Sequence, residues 1–489
     1  MRAPAERNTH TAMNRFLLTL VFTSLAAALF AQSPAGFRIE GRIRGLRDTT
    51  IVLAHYFGYN QYIPKDTARL DSSGRFAFEG KNALPQGLYI AITPLKKRRA
   101  IELLVGTQRF SFETDTTNFV ADMHVTGSPD NEAFYAYQKQ MLAFTDEGKA
   151  LDIQAQFRPD EMGKLTIRRQ MTELQRKLVQ FQKATVSVSD SLLVRKFLRA
   201  SLEPDIPAPP RLRNGKVDST FQYRYYKTHF WDSFDFTDER LVRTPIFQRK
   251  IDQYLQQMTA PVTDSLVKSA DFIVSKARAN KEMLSYAIWY ITSQYERPRV
   301  MGTEGVFVHM AERYYLSGVM PASDPVTVEN IRKRVETVKP LLVGQPFPTL
   351  TVSDTLRQPI DLKATKSDYT VLFFYDPTCV HCRESMPKLL EFARNKETTK
   401  DVQFCAIAVD NSPDAWQAFI REYGIQNWVN GYDFSFRTDF RRQFDVVKTP
   451  TVYVLGKDKT ILARALPTEQ VGDFIEFQRR MSRQLATRK

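Results

Sequence analysis

Cysteine is scarce in this chain, with three residues in 489, at positions 379, 382 and 405. So few cannot staple a protein of this length, so its domains must be held by hydrophobic cores rather than by disulfides. A structural zinc centre needs four ligands and commonly a second Cys/His pair, and the one remaining cysteine lies in an apolar strand, so no metal is expected. Cys382 is followed by Arg383, not by histidine, which excludes covalent haem attachment. Blocks of one charge are missing as well. The 69 Lys+Arg and 54 Asp+Glu give a net charge of +15, yet the two signs are interspersed along most of the chain. With no nucleic-acid motif beside them, these charges read as a solvated surface, and neither DNA nor RNA is an expected partner. No internal repeat or low-complexity tract is evident. What is present, 43% hydrophobic and 25% charged residues, is globular composition, and the length exceeds one ordinary core, so three domains are expected.

Only one long apolar run occurs, Phe16 to Ala31, with Arg15 before it and Gln32-Ser33 after it. It is shorter than the roughly 20 apolar residues of a spanning helix and ends in small residues, which is the build of a secretory signal peptide over residues 1–31, cleaved near Ala31. An uncleaved anchor is the alternative. No cysteine follows the run, which disfavours a lipid-anchored protein, and Met13 makes a more typical start for such a signal than Met1. The expectation is an exported, periplasmic protein with no stable membrane span after cleavage, residing in an oxidising compartment.

Three regions follow. From 37 to 127 the segments FRIEGRI, TTIVLAHY, GRFAFEG, GLYIAIT, AIELLV and RFSFETD alternate as half-buried strands do. Turn residues such as Asp71-Ser72-Ser73-Gly74 separate them, and an antiparallel β-sandwich or barrel is expected. His55 and His124 read as structural histidines. From 128 to 338 the period changes to that of helices: Ile167, Met171, Leu174, Leu178 and Phe181 recur at steps of four and three. A second helical pattern runs from Thr263 to Tyr295. Between the two, PDIPAPPRL (Pro204 to Leu212) reads as an extended connector, since its prolines forbid helix, with docking of a proline-reading partner as the alternative, and HFWDSFDF (His229 to Phe236) reads as core or interface rather than the lining of a ligand groove. From 343 to 485, TVLFFYD, a helix from Cys379, VQFCAIAVD, a helix near Asp414 to Tyr423, and TVYVLGKDKTILARAL alternate strand and helix. An α/β sheet ending in a hairpin is expected there. The fold class is thus multidomain α+β.

The pair Cys379-Val380-His381-Cys382 stands where strand TVLFFYD gives way to a helix. A redox pair needs one thiol that ionises near neutral pH, a second within reach, and exposure to a partner. At a helix N-terminus, unpaired amides and the macrodipole stabilise a thiolate on Cys379, while Cys382 sits shielded one turn on. His381 would add to that stabilisation if its imidazole shared a proton with the sulfur.

These residues resemble the thioredoxin superfamily. CVHC with Pro387 five residues beyond it, and Thr449-Pro450-Thr451 ahead of VYVL, look like its active-site helix and cis-proline loop. The intervening FCAIAVD and DAWQAFIREYGIQNW look like the insertion of exported TlpA-like thiol-disulfide oxidoreductases. The resemblance spans Val343 to Leu485, and HFWDSFDFTDERLVRTP upstream is similar to modules preceding such domains in envelope proteins. It implies that Cys379 attacks, Cys382 resolves, and Pro450 forms a cis bond that lets Thr449 hydrogen-bond an extended substrate chain. No cofactor is implied. The implied partners are protein disulfides and an envelope electron donor, with reduction as the favoured direction, although His381 is more typical of oxidising and isomerising members. The chain departs from the pattern at Phe373, where thioredoxins bury an aspartate, and at Ser385, where TlpA-like proteins often carry glutamate; Glu384 is the candidate proton acceptor for Cys382. A binding or assembly protein with a supporting thioredoxin-like domain is the rival reading. A thiol peroxidase is disfavoured because Thr378 abuts Cys379, where peroxiredoxins leave two residues between.

Overall fold

The computed structural model describes residues 36–487 apart from 59–60, 96–99, 158–159, 188–190, 322, 396–398 and 410–411. The expected signal segment, 1–31, lies outside the described residues. Among the described residues no helix is long and apolar enough to cross a membrane. The chain forms two compact units, dividing between Lys250 and Ile251.

The first unit opens with eight strands: β1 (Phe37–Arg44), β2 (Thr50–Tyr56), β3 (Tyr62–Arg69), β4 (Arg75–Gly80), β5 (Gly87–Ile92), β6 (Ala100–Val105), β7 (Arg109–Asp115) and β8 (His124–Thr126). They make two four-stranded sheets, ordered β4-β1-β7-β8 and β3-β2-β5-β6. Their inward residues, among them Ile39, Phe78, Leu53, Tyr89 and Leu103, share one core, so the pair is a sandwich. The β1–β7 pairing is parallel, and the other pairings in the sandwich are antiparallel. Strand β3 carries no apolar alternation because it is an edge: its residues are mostly exposed, and Pro64, Lys65 and Asp66 sit where no inner strand tolerates them. His55 is buried with Nδ1 2.8 Å from the Tyr56 carbonyl oxygen.

Helix α1 (Pro129–Gln156) begins at the Ser128 cap, with proline at its first position. It is tied to β6 by the buried Asn131, whose side chain accepts from Leu104 N and donates to Leu104 O, both at 2.7 Å. Helix α2 (Glu161–Ser187) turns Ile167 and Leu174 into a small core with Leu151, and Phe181 stacks on Tyr137. After α3 (Leu193–Ala200), residues 204–212 form an exposed connector without helix. Helix α4 (Phe221–His229) leads into an aromatic core of Phe230, Trp231, Phe234 and Phe236, all buried with Phe247 from α5 (Pro245–Gln256).

In the second unit the helices α6 (Thr263–Ala277), α7 (Lys281–Glu296), α8 (Gly305–Met310) and α9 (Pro325–Val338) come first. The pattern from Thr263 to Tyr295 is split by Asn280, whose side chain accepts from Glu282 N and Met283 N and so starts a new helix. Five strands follow: β9 (Tyr369–Tyr375), β10 (Val402–Ala408), β11 (Val429–Tyr432), β12 (Thr451–Leu455) and β13 (Ile461–Arg464), in the order β11-β10-β9-β12-β13. The first three run parallel, β12 is antiparallel to β9, and β13 is antiparallel to β12. All seven residues of β9 are buried, as a central strand covered on both faces requires. The flanking helices are α10 (Val380–Arg394), α11 (Pro413–Tyr423), which ends on Gly424 in the left-handed region, α12 (Phe440–Phe444) and α13 (Val471–Thr487).

Candidate active site

Sheet register assembles the site. Strands β9 and β12 pair with Thr451 opposite Phe374. The residues just before β12 therefore lie against the end of β9, beside the loop that carries Cys379. The Thr449–Pro450 peptide is cis, and the Cys379 thiol donates to the Thr449 carbonyl at 3.5 Å. Two stretches 70 residues apart in sequence thus meet at one sulfur.

The loop from β9 into α10 is wound by Asp376, whose carboxylate accepts from the Thr378 amide and hydroxyl, both at 2.7 Å, and whose carbonyl accepts from Cys379 N at 3.1 Å. Cys379 is the N-cap of α10, and its carbonyl accepts from the amides of Cys382 and Arg383. The first-turn amides and the positive end of the dipole consequently face its side chain. Burial pushes the Cys379 thiol up, but hydrogen bonds from the Thr449 side chain, from Cys382 and from the His381 amide outweigh it and hold the thiol below its ordinary value. Cys382 is 0% exposed and shares a core with Phe373, Tyr375 and Met386. Burial pushes its thiol up to about 12. All three cysteines are free thiols, Cys379 being half-buried. Cys405 is fully buried in the separate core with Leu372 and Phe374, and its thiol is also pushed up to about 12 by burial.

Two expected contributors are placed elsewhere. The His381 side chain is 81% exposed and points to Glu384, with Nδ1 and Oε2 3.4 Å apart. Its backbone amide, not its imidazole, supports the Cys379 sulfur. Glu384 is 67% exposed, and two residues along a helix from Cys382 it is turned about 200° away, so the structure does not bring its carboxylate to the buried thiol. Pro387 lies inside α10 on its exposed side.

Arg383 gave no sign of a role in the sequence. It donates to the Pro377 carbonyl at 2.9 Å and pairs with Glu422 of α11 at 2.5 and 2.6 Å, tying the loop ahead of Cys379 to the neighbouring helix. A basic residue after the second cysteine reads as an ordinary exposed helix position, and its partner lies 39 residues away.

The unequal thiols give a direct expectation. Alkylation of Cys379 by iodoacetamide in the reduced protein should follow a single ionisation with its midpoint below the ordinary thiol value of about 8.5. Thr449→Val should move that midpoint upward. Equal midpoints in the two proteins would remove Thr449 as a source of the shift.

A family comparison fits this five-stranded fold. Residues 367–461 match the thioredoxin-like family model, so the C-terminal domain is a thioredoxin-like domain. Residues 37–134 and 180–340 match two domains of unknown function, DUF4369 and DUF5106. Among solved structures the chain is similar to a thioredoxin-like protein from Bacteroides caccae, at 19% identity and TM-score 0.46, covering 56% of this chain and 98% of that one. It is also similar to a domain of a possible thiol-disulfide isomerase from Cytophaga hutchinsonii, at 34% identity and TM-score 0.27, covering 29% and 97%. A third is the thioredoxin domain of a thiol-disulfide oxidoreductase from Bacteroides vulgatus, at 21% identity and TM-score 0.26, covering 27% and 95%. No curated protein matches the chain.

Proposed function

We propose that this protein is an exported thiol-disulfide oxidoreductase that reduces protein disulfides in the periplasm. The observation that carries the reading is the asymmetry of one cysteine pair: a half-buried thiol held low at a helix N-cap, and a buried thiol pushed high one turn on. A pair so divided has one sulfur ready to attack and one kept in reserve.

The Cys379 thiolate attacks one sulfur of a substrate disulfide. The substrate S–S bond breaks, a mixed disulfide forms, and the other substrate sulfur leaves as a thiolate. That thiolate takes the Cys382 proton, and the Cys382 sulfur then attacks Cys379. The intramolecular disulfide closes, and the second substrate sulfur departs as a thiolate that is protonated from water. Two electrons have passed to the substrate, and a dithiol donor of the envelope returns them. Glu384 has no part in this cycle, since its carboxylate stands in solvent beside His381.

Cys382→Ser tests the division of labour. Incubated with a disulfide-containing protein, the full-length variant should accumulate a mixed disulfide through Cys379, visible on non-reducing gels and released by dithiothreitol. Equal trapping by wild type and variant would remove Cys382 from the resolving role. Direction is read by equilibrating the wild-type pair with glutathione buffers. Family couples span about −270 to −120 mV, and a value at the upper end would overturn the assignment as a reductase.

A further inference from the structure

A buried ionic cluster lies four residues ahead of the cis-proline loop. Asp445 follows α12 and takes the left-handed conformation, at φ 51°. Its carboxylate accepts from both terminal nitrogens of Arg334 in α9, with Nη2 3.1 Å from Oδ2, and from Arg464 Nη2 in β13 at 2.5 Å. The Asp445 and Arg464 side chains are 8% and 6% exposed. Acidic side chains from the helical segment complete the cluster: Glu296 lies 3.2 Å from Arg334 Nε, and Glu304 lies 3.6 Å from Arg464 Nε.

From the clamped carboxylate the chain runs a short way to the reacting sulfur. Val446 is buried and its amide donates to Phe440 O at 3.2 Å, while the Val447 amide donates to Asp445 O at 2.9 Å. Lys448 comes next, its carbonyl accepting from the Thr451 hydroxyl at 2.6 Å. Then come Thr449, whose carbonyl meets the Cys379 thiol, and the cis Pro450. Arg464 is paired with Tyr453 on β12, the strand the loop enters. The loop is thus held from both ends: at its far end by β12 and β13, and at its near end by a carboxylate that the helical segment grips through a two-pronged guanidinium, a geometry lysine cannot reproduce.

We propose that Arg334 and Asp445 are positioning residues for the substrate loop, so that the helical segment ahead of the thioredoxin-like domain sets how an extended protein disulfide is presented to Cys379. The inference rests on the reductase reading for its functional consequence, and on the ion cluster alone for its structural one.

The test uses the full chain as wild type, Arg334→Ala and Arg334→Lys, with three readouts. The first is insulin reduction, resolved into KM and kcat. The second is iodoacetamide alkylation of Cys379 at a pH above its midpoint, where the sulfur is ionised whether or not Thr449 is in place, so that it reports access to the sulfur rather than the loop's hold on it. The third is hydrogen exchange of the amides of residues 446–449 and 451, the segment 446–451 apart from its proline. Misplacement of a binding element by about 1 Å can cost on the order of a hundredfold. Arg334→Ala should therefore raise KM for insulin by roughly tenfold or more, leave alkylation within about twofold, and speed exchange in 446–451, with Arg334→Lys in between. Unchanged KM and exchange in a folded Arg334→Ala variant would overturn the proposal. So would a fall in alkylation matching the fall in turnover, since the damage would then lie at the sulfur. If wild type fails to reduce insulin while Arg334→Ala still loosens 446–451, the reductase reading falls and the clamp stands.

Discussion

Cys379→Ser should lower the rate of insulin reduction by about a thousandfold or more, to the level of the uncatalysed thiol reaction, while leaving the melting temperature nearly unchanged. A serine hydroxyl in place of the thiol cannot ionise near neutral pH, so neither helix-end amides nor the Thr449 contact can make it a nucleophile for sulfur. Cys382 cannot substitute: it is fully buried, and its thiol is pushed up to about 12. The loss should therefore be nearly complete, as it is for residues acting as one unit. The fold should survive because Cys379 sits half-buried at a helix end, and Ser is among the preferred N-cap residues. If the variant behaves like wild type both in insulin reduction and in cells, the oxidoreductase reading gives way to that of an envelope binding or assembly protein supported by its thioredoxin-like domain.

The largest effect on stability is expected at Asp445. Asp445→Ala removes the one anion that, among the described residues, Arg334 and Arg464 share, and leaves their two guanidinium groups without it in a site where the Arg464 side chain is 6% exposed. Removing one partner of a buried ion pair costs about 3–5 kcal/mol. The remaining contacts to Glu296 and Glu304 recover only part of this, because neither carboxylate reaches both arginines. A control is at hand in α2, where Glu173 and Arg176 pair with side chains 46% and 58% exposed. There Glu173→Ala should hardly move the urea midpoint, because exposed helix pairs contribute little. Urea denaturation of the two variants beside wild type measures both. Equal midpoints for Asp445→Ala and Glu173→Ala would mean that the cluster is neutral to folding.

The parts of the site that local sequence could reveal are those carried by a single element. CVHC at the end of an apolar strand announces a helix capped by a cysteine, because strand, Asp-Pro turn and helix are read within a dozen residues. Within the run from His229 to Phe236 the large aromatics Phe230, Trp231, Phe234 and Phe236 are buried core, as their bulk suggests. Strand β3 escaped notice for the opposite reason: an exposed edge buries too little to impose a pattern. His381 and Glu384 were drawn toward the thiols by their closeness in sequence. A helix turns about 100° per residue, and that rotation sends both side chains outward, leaving only the His381 amide on the sulfur.

By itself the sequence determined the three kinds of element along the chain, the cysteine pair and its place at a helix start, since each follows from periodicity or from a short motif. Tertiary structure alone decided which groups surround the sulfur and what holds the loop beside it. The Thr449 carbonyl reaches Cys379 through the pairing of β9 with β12, and Asp445 finds Arg334 across 111 residues. The reason is that hydrogen bonds and ion pairs act over a few ångströms, whereas the partners that make them here are set by sheet register and helix packing, which no local stretch of the chain contains.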